Sequence, residues 1–288
     1  MKLIDIKQEI SLSELIDDMD LAKEAQSHLV RLGFLDPPAD GKFGQMSTQA
    51  LHNFKQRMQI KEVGIGVRTS EYLLGLETDT LLTLEQDLAS RIIRYMQAKN
   101  YFVAIGAGRY NIVYVEGANA DGVPNSDLMN EWNDRRIVIE IPGSKPLIKG
   151  NWIATSEPGW TYTAKPLNSQ GAFRIAFGQY KAWKVGTHKD HEALVQVASV
   201  KGHRDRDKNG FRSGDPMVTG SFGINQHWGG NATKVGPWSA GCLVGQSRQG
   251  HRDFMKLIKQ DQRYLLSRNY LFMSTVIGAD DLAKNFPA

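Results

Sequence analysis

Apolar residues recur at helical spacing through the first third of the chain and then give way to short β-branched runs. Leu21, Ala25, Leu29 and Leu32 fall on one helix face, and Gly33 stands where such a helix stops. Upstream, Ser11 to Leu15 reads as a capped helix start within an otherwise polar, mixed arm. The turn-forming segment Asp36-Pro-Pro-Ala-Asp-Gly41 comes next. Ser47 or Thr48 is then positioned to cap a second helix with Ala50, Leu51, Phe54 and Met58 on its inward stripe. Residues 84–99 predict a further amphipathic helix carrying Leu88, Ile92, Tyr95 and Met96.

After Gly106 and Gly108 the texture changes. Ile112–Val115, Arg136–Ile141, Leu147–Ile153, Phe173–Phe177 and Ala193–Val200 are short β-branched or aromatic runs punctuated by Gly, Pro, Asn and Asp. Strands this close leave little room for crossover helices, which predicts a mainly antiparallel sheet. A helix at 251–266 and a closing strand at Leu271–Ile277 complete the pattern. The division expected is an N-terminal arm (1–20), a small helical module (21–80), a helical connector (81–110) and a β-rich domain (111–288).

Composition narrows the function classes only modestly. Hydrophobic residues make up 41% and charged residues 23% of the 288, an ordinary globular balance rather than a disordered or fibrous one. A net charge of +4 suits an anionic polymer such as nucleic acid or bacterial wall. With no dense Lys/Arg tract interleaved with aromatics, nucleic acid is the weaker partner and is not expected. No apolar stretch reaches the roughly 18 residues of a membrane span. Met1–Ile10 lacks an apolar h-region and a small-residue cleavage site, so no signal peptide is expected and the export route is open.

The chemistry concentrates in Gly220-Ser-Phe-Gly-Ile-Asn-Gln-His-Trp-Gly-Gly230 and Val235-Gly-Pro-Trp-Ser-Ala-Gly-Cys-Leu-Val-Gly245. Cys242 is the one cysteine of the chain, which excludes an internal disulfide. A cysteine attacks as thiolate, and a histidine within hydrogen-bond reach takes its proton and later returns it to a leaving amine. A glycine-rich loop separates His227 from Cys242 and is able to bring the two together. Gly241 permits a tight turn, with backbone N–H groups near Gly241 and Cys242 as oxyanion donors. The same residues also fit a packed cysteine and a satisfied core histidine. Trp228 and Trp238 flank the loop and are candidate cleft walls.

Asp205-Arg-Asp-Lys-Asn-Gly210 matches the first half of a calcium loop, but its twelfth position is Pro216 rather than glutamate. It reads as a polar turn between strands. His188, His191, His203 and His251 lack a carboxylate or cysteine at a recognisable metal spacing, so no metal and no cofactor is expected. Arg135 and Arg136 read as solvated charge.

His227-Trp-Gly-Gly followed by Ser239-Ala-Gly-Cys242 resembles the active-site pattern of the L,D-transpeptidase catalytic domain, a histidine followed some fifteen residues later by Ser/Thr-His-Gly-Cys. Trp152–Gly159, Pro166-Leu-Asn and Gly171-Ala-Phe-Arg-Ile175 are similar to the family's upstream region, and the resemblance spans roughly residues 136–280. It implies a β-sandwich-like fold, Cys242 as acylated nucleophile, His227 as base, and peptidoglycan stem peptides as substrate. Ala240 and Val244 depart from the pattern, standing where the family has a second histidine and an arginine; His203 or Arg204 is a candidate replacement.

A second resemblance lies at the other end. Ala25-Gln-Ser-His-Leu-Val-Arg-Leu-Gly33, Asp40-Gly-Lys-Phe-Gly44 and Thr48-Gln-Ala-Leu-His-Asn-Phe54 look like a peptidoglycan-binding domain of the three-helix type, with Lys55 replacing its usual final glutamine.

The expectation is therefore an α+β protein, a small all-α module plus a mainly antiparallel, β-sandwich-like L,D-transpeptidase domain. Cys242, His227, Gly241 and Ser239 are its catalytic candidates, with Trp228, Gly229, Trp238 and His203 at the substrate. Asp40, Gly41, Phe43 and Gly44 are the candidates of the wall-binding module. Peptidoglycan is the expected partner, a monomer the expected state, and the cell wall or periplasm the expected location. An L,D-carboxypeptidase or endopeptidase, including a phage or secreted antibacterial factor, and a non-catalytic wall-binding protein are the alternatives.

Overall fold

Local capping opens the helical part of the chain. In the computed structural model, which describes residues 1–288, Ser11 accepts the Glu14 N–H while Glu14 accepts the Ser11 N–H, a reciprocal box that starts α1 (Leu12–Asp17). Asp18 ends α1 and caps α2 (Met19–Arg31) through the Leu21 N–H. Leu21, Ala22, Ala25 and Leu29 are fully buried. The stop at Gly33 is a paired C-terminal motif. Phe34 N–H returns to Leu29 O at 2.8 Å and Gly33 N–H to Val30 O at 3.0 Å, with Gly33 at φ +80°.

The next helix starts earlier than its cap pattern predicts. α3 spans Gln45–Arg57 with Gly44 at its N-cap, because the Ser47 hydroxyl is buried and taken by Gln26 Nε2 at 3.0 Å. Ala50, Leu51 and Phe54 point inward as expected, and Phe54 meets Phe34 edge to face at 5.4 Å. Lys55 turns inward too, its ammonium donating to the carbonyls of Glu62, Val63 and Gly64. These bonds tie the chain down just before α4 (Val67–Gly75), an element the hydrophobic pattern does not reveal. α5 covers Leu88–Ala98, with Ile92, Tyr95 and Met96 buried.

The β-rich part contains eleven strands, β1 (Gly106–Glu116), β2 (Asp134–Ile141), β3 (Leu147–Thr155), β4 (Ala172–Ile175), β5 (Gly178–His188), β6 (His191–Gln196), β7 (Val200–Asp205), β8 (Met217–Gly220), β9 (Gln226–Trp228), β10 (Leu243–Gly245) and β11 (Phe272–Gly278). Eight of them close into a barrel in the order β1-β11-β5-β6-β9-β10-β3-β2, and β4-β7-β8 form a separate three-stranded sheet. The pairs β11–β5, β5–β6, β6–β9, β10–β3, β4–β7 and β7–β8 are antiparallel, whereas β1–β11 and β9–β10 are parallel. The chain is thus α+β with a mostly antiparallel sheet, and the sandwich-like layering takes the form of a closed barrel beside a small sheet.

Two elements differ from the sequence reading. The single helix expected at 251–266 is two, α7 (Arg248–Ile258) and α8 (Gln262–Leu266), with the short α6 (Trp160–Ala164) preceding them and α9 (Ala279–Asn285) ending the fold. Asp261 makes the break, because its carboxylate caps α8 at the Arg263 N–H, accepts the Tyr110 N–H and pairs with the Arg263 guanidinium. Arg136 is not solvated charge but is fully buried, with its guanidinium 4.0 Å from the Phe254 ring centre and 3.2 Å from His251 Nδ1. Arg135 is half-buried and donates to Asn151.

The chain packs as two compact units, a helical unit (Met1–Leu84, Met96–Arg109, Glu140–Pro146) and a barrel unit (Glu85–Tyr95, Tyr110–Ile139, Leu147–Ala288). Residues 1–20 lie within the helical unit, with Leu3, Ile6, Ile10 and Leu15 buried, and the expected connector is shared between the two. No helix is long and apolar enough to cross a membrane.

Candidate active site

β9 and β10 lie side by side in parallel, with Leu243 opposite Gln226 and Val244 opposite His227. Cys242, immediately before β10, therefore comes level with the start of β9. Cys242 and His227 both line one cavity of about 460 Å³, together with Phe173, His188, Lys189, Arg204, Phe222 and Trp238. The sulfur is largely covered, Cys242 being 9% exposed, and Sγ lies 3.5 Å from Gly223 O.

The turn into the cysteine is built by the two residues the motif highlights. Gly241 sits at φ +121°, and a Cβ there would lie 2.5 Å from Phe173 O on β4, so only glycine fits. The buried Ser239 hydroxyl donates to Cys242 O at 2.8 Å and accepts the Gly241 N–H at 3.1 Å. Ser239 thus acts on the backbone around the nucleophile candidate. That bond engages the Gly241 N–H, one of the two donors expected to face an oxyanion.

His227 Nδ1 is 2.8 Å from the Trp228 carbonyl oxygen. A carbonyl only accepts, so the proton sits on Nδ1 and Nε2 keeps its lone pair, the tautomer a general base needs. His188 stacks on the His227 ring at 4.5 Å, and is itself held by an Asn225 amide donating to His188 Nδ1 at 2.9 Å. Burial pushes the His227 pKa down to about 3, reinforced by His188, His191 and Lys189. Burial pushes the Cys242 thiol up to about 11, against the smaller opposing effects of the Asn225 N–H and Lys189. At neutral pH the pair is a neutral thiol and a neutral imidazole.

The cavity wall carries Lys189 and Arg204 and no carboxylate. Arg204 is 8% exposed, held between the Phe173 and Phe222 rings at 5.4 and 5.0 Å. Of the substrate candidates read from the sequence, Trp238 lines this cavity, while Trp228, Gly229 and His203 do not. Strand alternation is the reason for Trp228 and His203. His227 faces the cavity, so its neighbour Trp228 stacks on His191 at 3.9 Å, whereas Gly229 lies past the end of β9 against Trp132. On β7 the same alternation turns Arg204 inward and leaves His203 near Asp215 O. The residues that sequence reasoning misses are His188 and Lys189. They sit at the β5–β6 hairpin end, where His188 pairs with His191, and only that fold-back brings them to β9.

The four histidines 188, 191, 227 and 251 stack and cross as rings, and His251 is spent between Arg136 and Glu192 O. A second cavity of about 740 Å³ holds Glu116, Asp127 and Glu157, close enough to share a cation, but Arg212 and Arg174 pair with Glu116 and Glu157. In the helical unit, Asp40 and Gly41 form a turn bolted to α2 by Gln26, whose Nε2 is 3.1 Å from Asp40 Oδ1 and whose Oε1 accepts the Gly41 N–H at 2.7 Å. Phe43 is 4% exposed and packs inward, and Gly44 is the N-cap of α3.

Residues 19–65 match the family described as "Putative peptidoglycan binding domain". No curated protein matches the chain. Among solved structures, the chain is similar to a fused Zn-dependent amidase/peptidase/peptidoglycan-binding domain-containing protein from Clostridium acetobutylicum, at 14% identity over 94% of this chain and 98% of that one, with a TM-score of 0.27. It is also similar to an L,D-transpeptidase from Xylanimonas cellulosilytica, at 14% identity over 94% and 95%, with a TM-score of 0.21.

Proposed function

We propose that the barrel unit is a cysteine-dependent acyl-transfer enzyme of the L,D-transpeptidase type acting on peptidoglycan stem peptides, with Cys242 as nucleophile and His227 as base. The observation that carries this reading is that His227 on β9 and Cys242 just before the adjacent β10 line one cavity, with the His227 tautomer set by Trp228 O. The peptidoglycan-binding pattern at 19–65 supports the wall as partner and the cell wall or periplasm as location. The helical unit then holds the enzyme on an insoluble substrate and raises its effective concentration.

The electrostatics shape the chemistry. Burial raises the thiol to about 11 and lowers the imidazole to about 3, which disfavours a preformed thiolate–imidazolium pair. Proton transfer then accompanies attack. His227 Nε2 takes the thiol proton as Sγ bonds to the peptide carbonyl carbon, and the Cys242 N–H faces the developing oxyanion. The imidazolium returns the proton to the leaving amine as the C–N bond breaks, giving a thioester. A second amine, or water, then attacks with His227 again accepting a proton. Lys189 and the ring-flanked Arg204, cations in a wall without carboxylates, suit the free carboxylate of a stem peptide.

Incubating the full chain with purified muropeptides and reading products by mass spectrometry tests this. Cross-linked or shortened peptides from wild type and none from Cys242→Ala are expected; products from both would refute the assignment. Cross-linked dimers identify transfer to an amine, and shortened peptides identify hydrolysis.

A further inference from the structure

The Asp205–Gly210 turn is more than a polar connection. We propose that the loop from Asp205 to Asp215 is a calcium-binding site, separate from the Cys/His cavity, with Asp205, Asp207 and Asp215 supplying side-chain oxygens.

The sequence alone places Asp205, Asp207 and Asn209 at alternating positions with Gly210 sixth, at φ +79°. What it lacks is an acidic residue at the twelfth position. The hairpin register supplies one from the eleventh. Arg204 N–H bonds to Pro216 O at 3.0 Å and His203 pairs with Met217, so the start of β8 runs beside the end of β7 and carries Asp215 back to Asp205. One carboxylate oxygen from each of Asp205, Asp207 and Asp215 lies within 4.8 Å of the others.

The decisive feature is unsatisfied oxygen. Asp205 is fully buried; its Oδ2 accepts the Gly210 N–H at 3.2 Å, while its Oδ1 has no donor. Asp215 Oδ1 accepts the Arg206 N–H at 3.3 Å, and its Oδ2 is likewise buried without a donor. The ion pairs of the barrel unit engage Glu116, Glu131, Glu157, Asp190, Glu192 and Asp261 instead. A buried carboxylate oxygen without a donor is costly, and a cation among the three removes that cost. An all-oxygen donor set favours calcium over zinc.

Bound calcium would join the end of β7 to the start of β8, fixing Arg204 in the cavity wall. The test is calorimetric titration of calcium into the EDTA-stripped full chain, with thermal melts alongside. The expected result is one ion per chain with Kd at or below about 1 mM and a Tm that rises with calcium. Asp207 is exposed, so Asp207→Asn is expected to keep the calcium-free Tm and circular dichroism while weakening binding at least about tenfold; Asp215→Asn is expected to weaken it similarly. No binding by folded wild type up to about 10 mM calcium, or unchanged affinity in both variants, would overturn the proposal.

Discussion

The two ends of this chain use their motif residues in opposite ways. In the helical unit, Asp40, Gly41, Phe43 and Gly44 are internal hardware, a turn, a buried ring and a helix cap held by Gln26. In the barrel unit, Cys242 and His227 line a cavity, and the residues beside the cysteine, Gly241 and Ser239, are the hardware. A motif in the first case marks how a small module folds and leaves its binding face to other residues. In the second, under the proposed function, it marks the chemistry itself. Substitutions should therefore separate activity from stability in the barrel and not in the module.

The largest separation is expected at the nucleophile. Cys242→Ala should leave the thermal melt nearly unchanged and lower muropeptide turnover by at least about a thousandfold. A comparable loss of stability would place Cys242 with the packing residues instead. Gly241→Ala should do both kinds of damage. The +121° φ and the approach to Phe173 O give an expected cost of about 2–4 kcal/mol in a denaturant titration, with activity lost alongside. Gln26→Ala is expected to cost about 1–3 kcal/mol, because it strands the Gly41 N–H and the Ser47 hydroxyl. Its signature is weakened binding to intact sacculi with turnover of small soluble muropeptides retained.

The smallest effect concerns pH. Burial favours the uncharged thiol, so its pKa lies near 11 and the thiolate fraction should rise about tenfold per pH unit through the neutral range. Alkylation of Cys242 by iodoacetamide should follow that slope with no plateau below pH 9 or so. The buried imidazole stays uncharged down to about 3, so substrate turnover should not fall between about pH 8 and pH 5 through protonation of His227. An alkylation plateau near pH 6 would show a preformed ion pair.

The helical unit is largely legible in the sequence because its signals are local. The Ser11 box, the Gly33 stop and the stripe from Ala50 to Phe54 each lie within a few residues of the helix they define. Ser47 does not cap its helix because a tertiary partner, Gln26, claims the hydroxyl. In the barrel, Cys242 and His227 are visible as a pair, but His188, Lys189 and Arg204 reach them only through strand pairing between distant segments. Adjacency to His227 in sequence points Trp228 at the cavity, and strand alternation reverses that. Asp215 illustrates the same limit, since only the β7–β8 register brings it beside Asp205.

The central claim is that the sulfur of residue 242 carries the acyl group. Intact-mass and peptide mapping of wild type quenched during turnover measures this directly. A mass increase equal to the donor peptide's acyl fragment is expected on the peptide containing Cys242, and none in Cys242→Ala. An acyl adduct on another residue, or undiminished turnover by the alanine variant, would contradict it.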